Sequence, residues 1–303
     1  MDWETKLIAT YFLVCDYSWI FEVYNERFSN NNTPKFTDSE VATIYIFCTV
    51  DDFKLNTKKS IHAYADRHLR PWFPDLPKYE AFSHRVNELG ECFRHLTLHI
   101  NGDRLSGHHD FGVVRPEFLG DSMPMVMAKG AGSADARVAV EIASLGYCAT
   151  KRMHYHGLKL HNLNLMASES RLPHPTLSTL SSASAHDYEV FRNELPHRVR
   201  GSKCYPDSAY FDEGNKVFYE EEYGVTICAI EKRKRGQREL FADQKMLNTA
   251  FSRLRQPIEG YFNWIIELTG IQNASKTRAT KGVLSHIYGK LAAATVFLAI
   301  FNF

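Results

Sequence analysis

Apolar residues recur at helical spacing through the first hundred positions, and the pattern then changes to one of strands. Leu7, Ile8, Tyr11, Phe12, Cys15, Trp19, Ile20 and Val23 fall near one stripe, which predicts a single helix over residues 3–27. The polar run Ser29-Asn-Asn-Asn-Thr-Pro34 ends it. Thr37-Asp-Ser-Glu40 has the form of a capping box, in which the Thr hydroxyl takes one free helix amide and the Glu reaches back to another. The helix it opens carries Val41, Ile44, Tyr45, Phe47 and Cys48. A third helix, on Ile61, Tyr64, Ala65 and Leu69, stops at Pro71, and a fourth covers residues 79–100 on Phe82, Val86, Leu89, Phe93 and Leu96. Residues 1–104 thus read as an all-helical N-terminal lobe and residues 105–303 as a second domain.

The second domain opens with a short apolar strand over residues 118–127, in which Asp121 is the one acid and Pro124 is expected to interrupt the pairing. Residues 145–152 and 155–165 read as two strands joined by a tight turn, the second alternating Leu158, Leu160 and Leu163 against Lys159, His161 and Asn162. Residues 168–185 are rich in Ser and Pro without a period and are expected to be a loop, after which His186-Asp187 caps a helix. Further strands are expected over 199–205 and 225–230, with a helix between them from about residue 212. Two helical blocks, 240–271 and 282–301, finish the chain. Strands alternating with helices after an initial meander imply an α/β fold, a mixed sheet with helices on its faces.

Composition narrows the class. At 44% hydrophobic and 23% charged, the 303 residues suit a folded globular protein rather than a disordered one. The formal net charge of +1 announces no polyanion partner, so any nucleic-acid surface has to be a local patch. Six scattered cysteines without a C-x-x-C pair, and no export signal, lead us to expect reduced thiols and a cytoplasmic protein. The apolar run at 291–301 is shorter than the roughly 20 residues that span a bilayer, and is expected to be a buried helix, with no membrane partner.

Chemistry is expected where acids interrupt apolar elements. A carboxylate inside an apolar strand must be paired, hydrogen-bonded or metal-bound, which singles out Asp121. Asp207 follows a strand, at the kind of crevice where open α/β sheets place their sites. Glu259 lies beside the buried stripe of Ile258, Phe262 and Ile265, with Pro257 placed to fit a first helical turn. Singly, each acid also fits a bland role: an amide-bonded strand end, a Pro-Asp-Ser turn, or a first-turn Glu favoured by the helix dipole. His108-His109-Asp110 and His154-x-His156 keep a zinc-dependent hydrolase open as an alternative. Arg67, His68, Arg70, Lys78, His84, Arg85 and Arg94 in the helical lobe are candidates to face phosphates.

Several local signatures occur in order along the chain: Thr37-Asp-Ser-Glu-Val41, Trp72-Phe-Pro-Asp-Leu-Pro-Lys-Tyr79, Asp121-Ser-Met-Pro124, Gly146-Tyr-Cys148, Tyr155-His-Gly-Leu-Lys-Leu-His161, Ala185-His-Asp187, Pro206-Asp-Ser-Ala-Tyr210 and Arg255-x-x-x-Glu259. Across nearly its whole length the chain resembles the Asp-Asp-Glu transposases of bacterial insertion sequences, whose catalytic core is ribonuclease-H-like. The resemblance implies catalytic and metal-binding roles for Asp121, Asp207 (with Asp212 as its alternative) and Glu259. It implies two Mg²⁺ or Mn²⁺ ions about 3.5–4 Å apart, clamping the attacking and leaving oxygens of a phosphoryl displacement. It further implies that Lys159, His161 and Arg255 steady phosphate or the carboxylates, and that Lys232, Arg233, Lys234 and Arg235 hold backbone DNA. The implied partners are transposon terminal inverted repeats and target DNA, bound by a homodimer. The implied activity is cut-and-paste strand cleavage and strand transfer. A decayed or domesticated transposase that only binds DNA is the non-enzymatic alternative.

Overall fold

A computed structural model describes residues 1–25, 34–50, 55–108, 115–149, 151–166, 172–194, 198–210, 213–231, 233, 236–272 and 274–301. Asp212, Lys232, Lys234, Arg235, His109 and Asp110 lie outside them.

The first half is helical. The single helix expected over 3–27 is two: α1 (Trp3–Asp16) and α2 (Trp19–Val23), separated at Tyr17-Ser18. Leu7, Val14, Ile20 and Phe21 are buried, whereas Phe12 and Val23 on the expected stripe are exposed. The capping box closes as expected, the Glu40 amide donating to Thr37 Oγ1 at 3.2 Å and the Thr37 amide to Glu40, ahead of α3 (Asp38–Val50). α4 (Lys58–Tyr64) winds on through a looser turn over Ala65–Leu69. The fourth expected helix is again two, α5 (Tyr79–Glu88) and α6 (Gly90–His108), parted at Leu89.

A mixed six-stranded sheet follows, ordered β2-β3-β1-β5-β6, with β4 also on β3. Its strands are β1 (Glu117–Lys129), β2 (Ser144–Cys148), β3 (Met153–Leu165), β4 (His174–Ser182), β5 (Lys203–Pro206) and β6 (Thr226–Ile227). β1 is antiparallel to β3 and parallel to β5, and β5 is parallel to β6. β3 is long enough to hold β2 along its first part and β4 along its second, on the side away from β1.

Four expectations change here. Pairing of β1 does not stop at Pro124, which sits opposite Lys159; the Pro124 carbonyl faces Gln272, so its missing N–H points away from β3 and costs no ladder bond. The irregularity falls later, between Val126 and Ala128, beside Gly157, where an added Cβ would lie 2.0 Å from the Met125 carbonyl oxygen. The Ser- and Pro-rich stretch expected as a loop contains β4, paired with β3 from Leu158↔Ser182 to Leu165↔His174. The strands expected over 199–205 and 225–230 shrink to β5 and the two-residue β6.

The remaining helices are α7 (Asp187–Glu194), α8 (Glu213–Tyr223), α9 (Ala242–Thr269) and α10 (Thr280–Phe301). α7 and α8 cover one sheet face through Phe191 and Tyr219, against Phe118, Leu163 and Leu165. The other face, with Leu119, Met123, Met125, Leu158 and Leu160, shares one apolar cluster with α9, α10 and the N-terminal helices. Helix α10 is long and apolar enough to cross a membrane by composition, yet 78% of its apolar window is buried inside the protein, as expected for a core helix. Gly289 lets α10 approach closely, since an added Cβ would meet the Tyr45 ring at 2.6 Å.

Candidate active site

β5 pairs with β1 only from Glu117↔Lys203 to Gly120↔Pro206. Where β5 stops, β1 continues as Asp121, at the strand end where open α/β sheets place their sites. The Asp207 amide donates to the Gly120 carbonyl at 3.2 Å, so Asp207 turns out of the sheet beside Asp121. Both carboxylates are held by their own next amide, Ser122 to Asp121 Oδ1 at 2.7 Å and Ser208 to Asp207 Oδ1 at 2.6 Å.

Arg255 bridges them from α9. Its guanidinium lies 3.4 Å from Asp121 Oδ2 and 3.6 Å from Asp207 Oδ1, and the side chains of Arg255, Asp121 and Asp207 are 15%, 25% and 45% exposed. Burial pushes the Asp121 carboxyl up to about 6, against the opposing pull of the Ser122 amide and Arg255. Glu259 stands one turn beyond Arg255 on α9 and is exposed. It shares a helix face with Arg255, but among the described residues it is not brought together with Asp121 and Asp207 into one group of acids. Among the described residues no three His, Cys, Asp or Glu side chains form a group that could hold a metal ion. The pair Asp121 and Asp207 offers hard oxygen donors, which suit an oxygen-preferring cation in kind.

Pro257 is inside α9, not in its first turn as the sequence led us to expect, because the helix begins back at Ala242. Having no N–H, it cannot donate to the Arg253 carbonyl, so one helix hydrogen bond is missing in the turn before Glu259.

Lys159 and His161 stand on the other side of β3. Lys159 donates to Asp187 Oδ1 at 2.9 Å and to the Ala185 carbonyl at 2.8 Å. His161 is buried, with one ring nitrogen 2.8 Å from the Tyr210 hydroxyl and the other 2.7 Å from Ser181 Oγ; burial depresses it to about 4. The Tyr210 amide bonds the Asp207 carbonyl at 2.9 Å, so the β3 signature and the Asp207 turn are locked together. These two side chains brace the site rather than reach into it. Asp187 and Tyr210 are the bracing residues that the sequence offered only as a helix cap and a motif letter. A half-buried strand lysine needing a counter-charge was the signal for Asp187.

Elsewhere, Arg233 bonds the Arg238 carbonyl at 3.2 Å beside a shallow hollow lined by Glu239 and Lys245. Of the basic residues of the N-terminal helices, Arg85 is spent on Asp38 and the Phe36 carbonyl, Arg70 on Asp66, and Arg94 on Glu91, while Arg67, His68, Lys78 and His84 are exposed. His156 gives a ring nitrogen to the Val138 carbonyl at 2.8 Å, and His154 packs on Tyr147. No family model matches the chain, and no curated protein or solved structure matches it.

Proposed function

We propose that this protein is a DNA strand-cutting and strand-joining enzyme, an Asp-Asp-Glu transposase with a ribonuclease-H-like core. One observation carries the reading: Asp121 on the central strand and Asp207 at the end of its parallel neighbour meet under Arg255 where β5 ends. Two supports stand beside it. A mixed sheet flanked by helices is the fold that the resemblance implies. The signatures at Asp121–Pro124, Tyr155–His161, Pro206–Tyr210 and Arg255–Glu259 fall on β1, β3, the end of β5 and α9, the elements around the two acids.

Asp121 and Asp207 would hold the divalent cation, with Glu259 approaching from α9 when DNA is bound. Bound there, Mg²⁺ or Mn²⁺ would supply charge stabilisation for an in-line phosphoryl displacement. Arg255 neutralises the two acids in the free protein and is placed to turn to a phosphate oxygen as DNA enters. Tyr210 and His161 keep the Asp207 turn in register with β3. The N-terminal helices present Arg67, Lys78 and neighbours for the DNA end, and the protein acts as a dimer on two ends.

A second reading, a protein that binds DNA without cutting it, is favoured by the exposure of Glu259 and the occupation of both acids by Arg255. End-labelled duplexes carrying the DNA that flanks the reading frame separate the two. Nicking in Mg²⁺, lost in EDTA and in Asp121→Ala, supports the enzyme. Retention of the duplex without nicking by the folded protein supports the second reading.

A further inference from the structure

Asp121 does not stand alone on its face of the sheet. Its partner across β3 is Asn162, and the partner of Asn162 across β4 is Ser178. Directly opposed residues in antiparallel strands point to the same face, so the three make one polar row inside an apolar layer. Leu119, Met123, Leu160 and Leu180 flank that row.

The row is buried and unsatisfied. Asn162 is 1% exposed, and neither its amide oxygen nor its amide nitrogen has a hydrogen-bond partner. Ser178 Oγ, Arg255 Nε and the Tyr261 hydroxyl are orphaned in the same way. Tyr261 is fully buried on α9, and its hydroxyl lies against the Asn162 amide at the edge of hydrogen-bonding reach. Each such group left bare destabilises the fold. Native interiors meet such groups with internal water, which takes about 2–4 polar partners at once. Asn162 on β3 has Ser178 of β4 beside it in the row and Tyr261 of α9 against it, which brings such atoms together next to Asp121.

We propose that Ser178, Asn162 and Tyr261 enclose an internal water site that fixes the Asp121 carboxylate from behind, making Asn162 a positioning residue for the candidate active site. The Ser122 amide and Arg255 occupy the carboxylate from the sides described above, and a carboxylate accepts about four hydrogen bonds. Water anchored on Asn162 takes a further lone pair and holds the rotamer that meets Arg255. Only the effect on DNA cutting rests on the function proposed above; the water and the rotamer do not.

The test is a crystal structure of the intact wild-type chain and of Asn162→Leu, at a resolution that shows bound water, with single-turnover DNA cutting by both. Expected is a water bonded to Asn162 and to Ser178 Oγ or the Tyr261 hydroxyl, absent from the Leu variant, in which the Asp121 carboxylate turns to another rotamer. Cutting falls about tenfold in kcat with KM for DNA unchanged, and Asn162→Ser, which leaves room for water, restores most of it. Should Asn162→Leu not fold, the double variant Ser178→Ala with Tyr261→Phe must give the same loss of water. A direct Asn162–Tyr261 bond with no water between them, or an Asp121 rotamer unmoved in the variant, overturns the proposal. If the wild type cuts no DNA, the transposase reading fails, while the density still decides the water site.

Discussion

Arg255 reaches from the middle of α9 to within 3.4 Å of Asp121 on the central strand, and the same guanidinium lies 3.6 Å from Asp207. A planar fork with several donors can serve two carboxylates that a point charge cannot serve equally. Arg255→Lys therefore keeps the charge and loses the bridge. We expect DNA cutting by Arg255→Lys to fall at least about tenfold and by Arg255→Ala about a hundredfold, magnitudes typical of removing an electrostatic contact at a reacting centre. Both variants should stay folded by circular dichroism. Equal activity of the Lys variant and the wild type would show that the bridge is incidental.

Asp121 is held at a cost to the fold. Its carboxyl is raised from 3.8 to about 6 by burial, so the folded state binds more protons than the unfolded state between those values. The stability tied to this group is present below pH 4 and is lost as the pH rises through about 6. Asp121→Asn should thus melt at a higher temperature than the wild type at pH 7–8, while abolishing cutting. Calorimetry from pH 4 to pH 8 checks this; a variant that melts lower throughout contradicts it.

Lys290 is fully buried in α10, and burial lowers it to about 7 from an ordinary 10.5. The unfolded state then binds more protons between these values, so this group makes stability rise with pH from about 7 towards 10.5. Lys290→Met should remove that rise and increase the melting temperature at pH 7 by at least about 2 °C. A melting curve for the variant that keeps the wild-type pH slope would refute the assignment.

His161 and Tyr210 join two signatures by a 2.8 Å contact. A double-mutant cycle with His161→Phe and Tyr210→Phe should give a coupling of about 1 kcal/mol in urea unfolding. Coupling near zero would mean that the contact does not tie the Asp207 turn to β3.

Much of this site was legible in the sequence for a physical reason. Asp121 interrupts an apolar strand, and Asp207 follows one, so their positions are set by strand ends that periodicity can locate. Glu40 closes its capping box because the motif is local. What the sequence hid depends on distant partners. β4 has little period of its own; Ser178 and Ser181 lie in a strand because β3 offers a long edge. The break between α1 and α2 falls at Tyr17-Ser18, where no Pro or Gly marks it. Pro257 suggested a helix start, since nothing local shows that α9 has already begun at Ala242. Asn162 looked like ordinary outward polarity, and only its burial between β4 and β1 sets it apart.

The most direct measurement of the central claim is strand joining by ends that have already been cut. A labelled duplex of flanking DNA with a free 3′-hydroxyl is incubated with the protein, Mg²⁺ and a supercoiled plasmid. The account predicts label covalently transferred to the plasmid by the wild type, and none by Asp121→Ala, Asp207→Ala or Glu259→Ala. Transfer that persists at wild-type levels in any one of these variants, or no transfer by folded wild-type protein bound to the same duplex, would contradict it.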